Sequence, residues 1–163
     1  MPKQIKAKKL PKAEKANAIL AILFMTASIA FGGVLIGLLS KFMDEESLWM
    51  GCVIFGCYAV YLLLALSHCI QGICVFNKQE NYGLLFQSVV SGAAAFTAIL
   101  NLQFMLVLLM ESLGKESAAE KLIGSRTMDE FVTSQSTSWT LLICGMAAAL
   151  ILGIFAIVKL SKK

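Results

Sequence analysis

Long uncharged runs alternate with short charged blocks along this chain. Residues 16–40, 47–77, 81–110 and 131–158 contain no Asp, Glu, Lys or Arg. These runs hold 25, 31, 30 and 28 residues. A hydrocarbon core about 30 Å thick is crossed by about 20 apolar residues in a helix. Each run is long enough, with polar shoulders to spare for the two interfaces. A helix on the surface of a soluble protein keeps one face in water and carries charge every turn or two. None of these runs does. The pattern predicts an all-α fold, an integral membrane four-helix antiparallel bundle. Its predicted spans are residues 16–42, 47–76, 82–112 and 137–159. A basic segment (1–15) precedes them and a short tail (160–163) follows.

The connections sharpen this picture. Residues 41–46 and 77–81 form tight turns, so spans 1 and 2, and spans 2 and 3, must be antiparallel neighbours. The one sizeable loop is residues 113–136. Ser117 with Glu120, and Thr127 with Glu130, fit the S/T-x-x-E capping pattern, and Gly124 fits a helix stop. A short interfacial helix over 117–123 is expected. Span 4 is expected to extend outward as a polar helical turn from Met128. The runs from Leu38 and Leu108 into acidic loops resemble each other, but any two membrane hairpins would share such features.

Composition agrees: 58% of the 163 residues are apolar and 15% charged, against about 25% charged in an average globular chain. The distribution of charge predicts orientation. The segment before span 1, the turn after span 2 and the tail carry ten basic residues and two acids, Glu14 and Glu80. The opposite side carries four basic residues, Lys41, Lys115, Lys121 and Arg126, against eight acids. Basic loops resist translocation, so both termini are expected in the cytoplasm. Trp49 and Trp139 fall at the outer ends of their spans, where indole rings favour the headgroup layer. The apolar run of span 1 continues ten residues past a small-x-small site at Ser28 and Ala30. That exceeds a signal-peptide core of about 7–15 residues, so span 1 is expected to be retained. A bacterial inner membrane is the favoured location. The N-terminal lysines are expected to meet anionic lipid headgroups, at about 1 kcal/mol per nearby Lys. No nucleic-acid partner is implied.

The middle hairpin carries the most informative pattern. Cys57, Tyr61, Leu64, His68 and Gln71 form one stripe on span 2, and Gln87, Ser91, Ala94, Ala98 and Asn101 form one on span 3. Folded about Gln79, the stripes predict the pairs Gln71–Gln87, His68–Ser91, Leu64–Ala94, Tyr61–Ala98 and Cys57–Asn101. Hydrocarbon offers no hydrogen-bond partners, so Gln, His and Asn must find them in protein. Each such pair is worth about 0.6 kcal/mol; together they set the register. Spans 1 and 4 carry small residues instead: Gly33 and Gly37, and Gly145, Ala149 and Gly153. Such faces admit another backbone closely, from within the bundle or from a partner or second copy.

Candidate chemistry is sparse. His68 is the only histidine, and no span contains a carboxylate. Ion coupling through an embedded acid, as in small multidrug exporters and rotary ATPase proteolipids, is therefore not expected. His68 reads as a neutral imidazole satisfied by Ser91 or Gln87. The five cysteines lie within spans without CxxC or zinc spacing, so they read as small packing residues. No cofactor or metal is implied. The preferred functional reading is a non-catalytic accessory or assembly subunit of a membrane complex. The alternative is a small-solute or lipid transporter acting as an oligomer, with its site at Tyr61, His68, Gln71, Gln87, Ser91 and Asn101.

Overall fold

Seven helices and no strand make up the described part of the computed structural model, which covers residues 11–42 and 49–162, the side chains of 38–42 excepted. The lysines before Pro11 and most of the predicted turn 41–46 lie outside the described residues. Helix α1 (Lys12–Phe42) starts directly after Pro11, whose carbonyl accepts from the Lys15 N–H. It therefore begins four residues before the predicted span. Proline suits the start of a helix because the amide hydrogen it lacks would have no partner there. Helix α2 (Met50–Gln79) ends at Glu80, which adopts the left-handed conformation at φ 51°. Asn81 then caps α3 (Tyr82–Leu100) by accepting from the Gly83 N–H. Two residues thus reverse the chain.

In place of one helix over 82–112 there are two, α3 and α4 (Leu102–Ser112), broken at Asn101. The Asn101 N–H bonds to Ala98 O, and its side-chain amide donates to Thr97 O. The side chain takes the carbonyl that the residue's own backbone amide would have taken in an unbroken helix, the way Asn commonly competes with a helix. A second break separates α6 (Met128–Ser134) from α7 (Ser136–Ser161) at Gln135. Span 4 therefore does not extend outward without interruption. Thr127 caps α6 in a reciprocal box with Glu130, worth about 1 kcal/mol. Helix α5 (Glu116–Ile123) has Lys115 at its N-cap position with no side-chain cap, so Ser117 lies inside its first turn and caps nothing.

Helices α1, α2, α3 and α7 are each long and apolar enough to cross a membrane. They pack in a closed ring, α1 on α2, α2 on α3, α3 on α7 and α7 on α1. Neighbours run antiparallel. Glu14 at the start of α1 pairs with Lys159 at the end of α7 at 3.0 Å, and Ser28 Oγ donates to Met146 O halfway along. The two described ends of the chain therefore meet on one side. That ion pair is partly exposed and contributes at most about 1 kcal/mol.

The interior is aromatic. Phe24, Phe31, Tyr58 and Tyr61 are all at most 1% exposed. Tyr61 touches both phenylalanines, with ring centroids 5.4 and 5.5 Å apart. On the loop side, α5 and α6 bury Ala119, Ile123 and Phe131 against the end of the ring. Phe104 stacks on Phe131 and meets the Trp139 ring edge-on at 4.7 Å. Trp139 is thus half-buried in protein, whereas Trp49 is exposed.

Candidate functional site

Several polar residues of α2 and α3 lie between helices, but the three predicted polar pairs are not hydrogen-bonded. Ser91 is buried, and its hydroxyl lies 3.0 Å from Gln87 O and 3.1 Å from Ser88 O. A helical serine readily bonds back to its own preceding turn, and that leaves His68 without Ser91. His68 is fully buried beside Phe24, ring centroids 6.3 Å apart. Neither of its ring nitrogens has a hydrogen-bond partner among the described residues.

Gln87 is reached from a third helix. Its Oε1 accepts from Asn17 Nδ2 of α1 at 3.2 Å, not from Gln71. The Asn17 Oδ1 atom is buried without a partner among the described residues. Gln71 lies instead in a groove on the outside of the ring, between α1 and α2. It sits about 100° around the helix from Gly72, and Gly72 is the residue that contacts α3.

Asn101 does not pair with Cys57. Its amide donates to Ser138 O of α7 at 2.8 Å, and its Oδ1 accepts from Ser138 Oγ at 3.3 Å. The Ser138 hydroxyl also lies 2.9 Å from Gln135 Oε1. The two helix breaks are thereby tied to each other by side chains. Tyr61 lies near α7 too: a Cβ on Gly145 would stand 3.2 Å from its hydroxyl oxygen. That oxygen has no bond among the described residues, while the neighbouring Tyr58 hydroxyl donates to Ala98 O at 2.8 Å.

The register of α2 on α3 and α4 is held by two features that the polar stripes do not contain. At Gly72 an added Cβ would collide with Ser88 Oγ, and at Gly51 with Ser112 Oγ. Each serine donates to its own helix, Ser88 to Leu84 O and Ser112 to Leu108 O, both at 2.8 Å. The same glycine–serine clasp thus occurs near both ends of α2. A glycine four residues or fewer from other small or polar groups is common in apolar helices, so sequence offered little to single out Gly51 and Gly72. Asn17 had a clearer signal: it is the one Asn at the edge of an uncharged run in α1.

The two small faces differ in use. Gly145, Ala149 and Gly153 of α7 are buried inside the ring. A Cβ on Gly145 would approach Ala94 of α3, and one on Gly153 would overlap Met25 of α1. On α1 it is Gly32 that turns inward, toward Met146. Gly33 and Gly37 are exposed, and a Cβ at either meets nothing within 4 Å. The period of 3.6 residues makes adjacent glycines face apart, which is why Gly32 and Gly33 divide in this way.

The chemistry available inside the ring is limited. Among the described residues three side chains, Asn17, Tyr61 and His68, keep unbonded buried polar atoms. Phe24 touches both Tyr61 and His68, so an aromatic ring lies against the two groups that a proton relay would have to join. All five cysteines are unpaired, and no group of three His, Cys, Asp or Glu gathers among the described residues. No family model, curated protein or solved structure matches this chain.

Proposed function

We propose that the chain is a non-catalytic accessory or assembly subunit of a complex in the cell membrane. Its four long helices cross the bilayer as a bundle, and both ends lie in the cytoplasm. The observation that carries this reading is the filled interior. Phe24, Phe31, Tyr58 and Tyr61 occupy the space between the helices with at most 1% exposure each. Interiors packed in this way behave as solids and leave no route for a solute. What remains for recognition is the outer surface. Ala30 and Gly33 of α1 and Gly56 of α2 are exposed, and a Cβ at either glycine meets nothing. A shallow groove of about 180 Å³ lies between α1 and α2 on this face, lined by Ala27, Ala30, Gly56, Cys57 and Val60. Lipid tails give helices no hydrophobic reason to associate, so a smooth surface that admits a foreign backbone is what a partner helix needs.

Affinity purification in a mild detergent tests this reading. A larger assembly is expected, and Gly33→Leu with Gly56→Leu should release the partner while leaving the chain folded. A lone, monodisperse chain from native membranes would count against it.

The unbonded polar atoms of Asn17, Tyr61 and His68 favour a second reading, in which the ring opens to a polar solute. Ser91→Cys in a background without the native cysteines separates the two. Ser91 is fully buried, so the subunit reading expects no reaction with a polar, charged thiol reagent in intact membranes. Labelling at a rate near that of an exposed loop cysteine would establish a water-filled path and favour the transporter.

A further inference from the structure

We propose that the groove between the start of α1 and the last turns of α2 binds one anionic glycerophospholipid from the leaflet on the side of the two chain ends. The groove has a volume of about 490 Å³ and runs along α2 from Ser67 to Lys78, with Ala13 of α1 contributing to its lining. The eleven helical steps from Ser67 to Lys78 span about 16 Å, and one leaflet of a 30 Å core is about 15 Å deep. The groove therefore reaches about as deep as one leaflet, enough for a lipid's phosphate, its ester and the upper part of one acyl chain.

Its chemistry changes along that length as a lipid would require. At the mouth, Lys78 is exposed and has no ion-pair partner among the described residues. Seven residues deeper, about 10 Å along the axis, the half-buried Gln71 lines the groove with a carboxamide that bonds to no described protein group. A carboxamide with no partner is costly at that depth. Ile70 and Cys74 supply apolar wall between and beyond these two. At the far end the Ser67 hydroxyl donates to its own Leu63 O at 2.7 Å, so the end of the groove offers no free donor. A phosphate at Lys78, an ester carbonyl accepting from the Gln71 amide and an acyl chain along Ile70 would satisfy each feature in turn. Both side chains are long enough to close the distance between phosphate and ester.

Charge selects the lipid class. On this side the described residues include Lys12, Lys15, Lys78, Lys159 and Lys162 against Glu14 and Glu80, and Glu14 is already paired with Lys159. A net anionic headgroup is favoured over a zwitterionic one. The proposal rests on the membrane placement and not on the subunit reading, so it can be tested on the chain by itself.

The test is native mass spectrometry of the full chain in detergent with phosphatidylglycerol or phosphatidylcholine of the same acyl composition. One phosphatidylglycerol should be retained per chain, with a preference of about fivefold for each effective lysine contact. Lys78→Gln should bring the two lipids to near parity. Cys74→Trp, at an exposed position that fills the groove, should abolish retention. Ile154→Trp on the exposed face of α7 should leave retention unchanged. Gln71→Leu provides an independent variant and should weaken retention with Lys78 intact. Equal retention of both lipids by the wild type, or undiminished retention by folded Cys74→Trp or Gln71→Leu, would overturn the proposal.

Discussion

Gly72→Ala is expected to lower the stability of the purified chain by about 1–3 kcal/mol, the usual effect of overfilling a packed contact. Ser88→Ala in the same chain is expected to recover most of that loss. The Cβ added at Gly72 collides with the Ser88 hydroxyl, whereas Ser88 Cβ at 3.2 Å and Leu84 O at 3.4 Å leave space that a small shift can provide. Ser88→Ala alone should be nearly neutral, because its hydroxyl bonds only to the preceding turn of its own helix. The second clasp should behave differently. At Gly51 the added Cβ would also stand 2.6 Å from Ser112 Cβ and 2.7 Å from Leu108 O, and removing a hydroxyl moves neither. Ser112→Ala should therefore fail to rescue Gly51→Ala. Denaturant titrations in detergent, arranged as double-mutant cycles, measure both couplings. Additive effects at Gly72 and Ser88 would show that α2 and α3 do not meet in this register.

The second large effect is expected at Asn101. Asn101→Leu removes donation to Thr97 O at 2.9 Å and to Ser138 O at 2.8 Å, and leaves Ser138 Oγ without Asn101 Oδ1. Three bonds of about 0.5–1.5 kcal/mol each set a loss of about 2–3 kcal/mol. The loss should also be local. Asn101 joins the break between α3 and α4 to the first turn of α7, and α5 and α6 pack beyond that junction. Amide exchange should accelerate across α4, α5 and α6 while α1 and α2 keep their protection. Unchanged exchange over residues 102–134 would show that the junction does not hold the loop-side helices in place.

The four long helices were legible because each is a long run without charge, the pattern that burial in hydrocarbon would impose. The two breaks were not. A lone Asn within an apolar run signals a polar group in need of a partner, but not whether it will bond across helices or to its own turn. Asn101 does both. The same ambiguity explains the failed pairs. Ser91 bonds backward to Gln87 O and Ser88 O, and Gln87 accepts from Asn17 of α1. Pairing two stripes from one hairpin ignores the other two helices, which compete for the same groups. Tyr61, expected to meet Ala98, turns its hydroxyl toward Gly145 of α7, and it is Tyr58 that bonds to Ala98 O. The small residues were visible as a class, but which glycine faces inward depends on helix rotation. Gly32 and Gly33 differ by one residue and have opposite surroundings.

Insertion with both ends on the cytoplasmic side is tested most directly by single cysteines placed at Ser125 and at Lys162, each in a background without the native cysteines. Intact cells are treated with a membrane-impermeant maleimide before lysis. Position 125, between α5 and α6 on the loop side, should be labelled, and position 162, beyond α7, should be labelled only after the membrane is opened. Labelling of position 162 in intact cells, or protection of position 125, would contradict this arrangement of the four helices across the membrane.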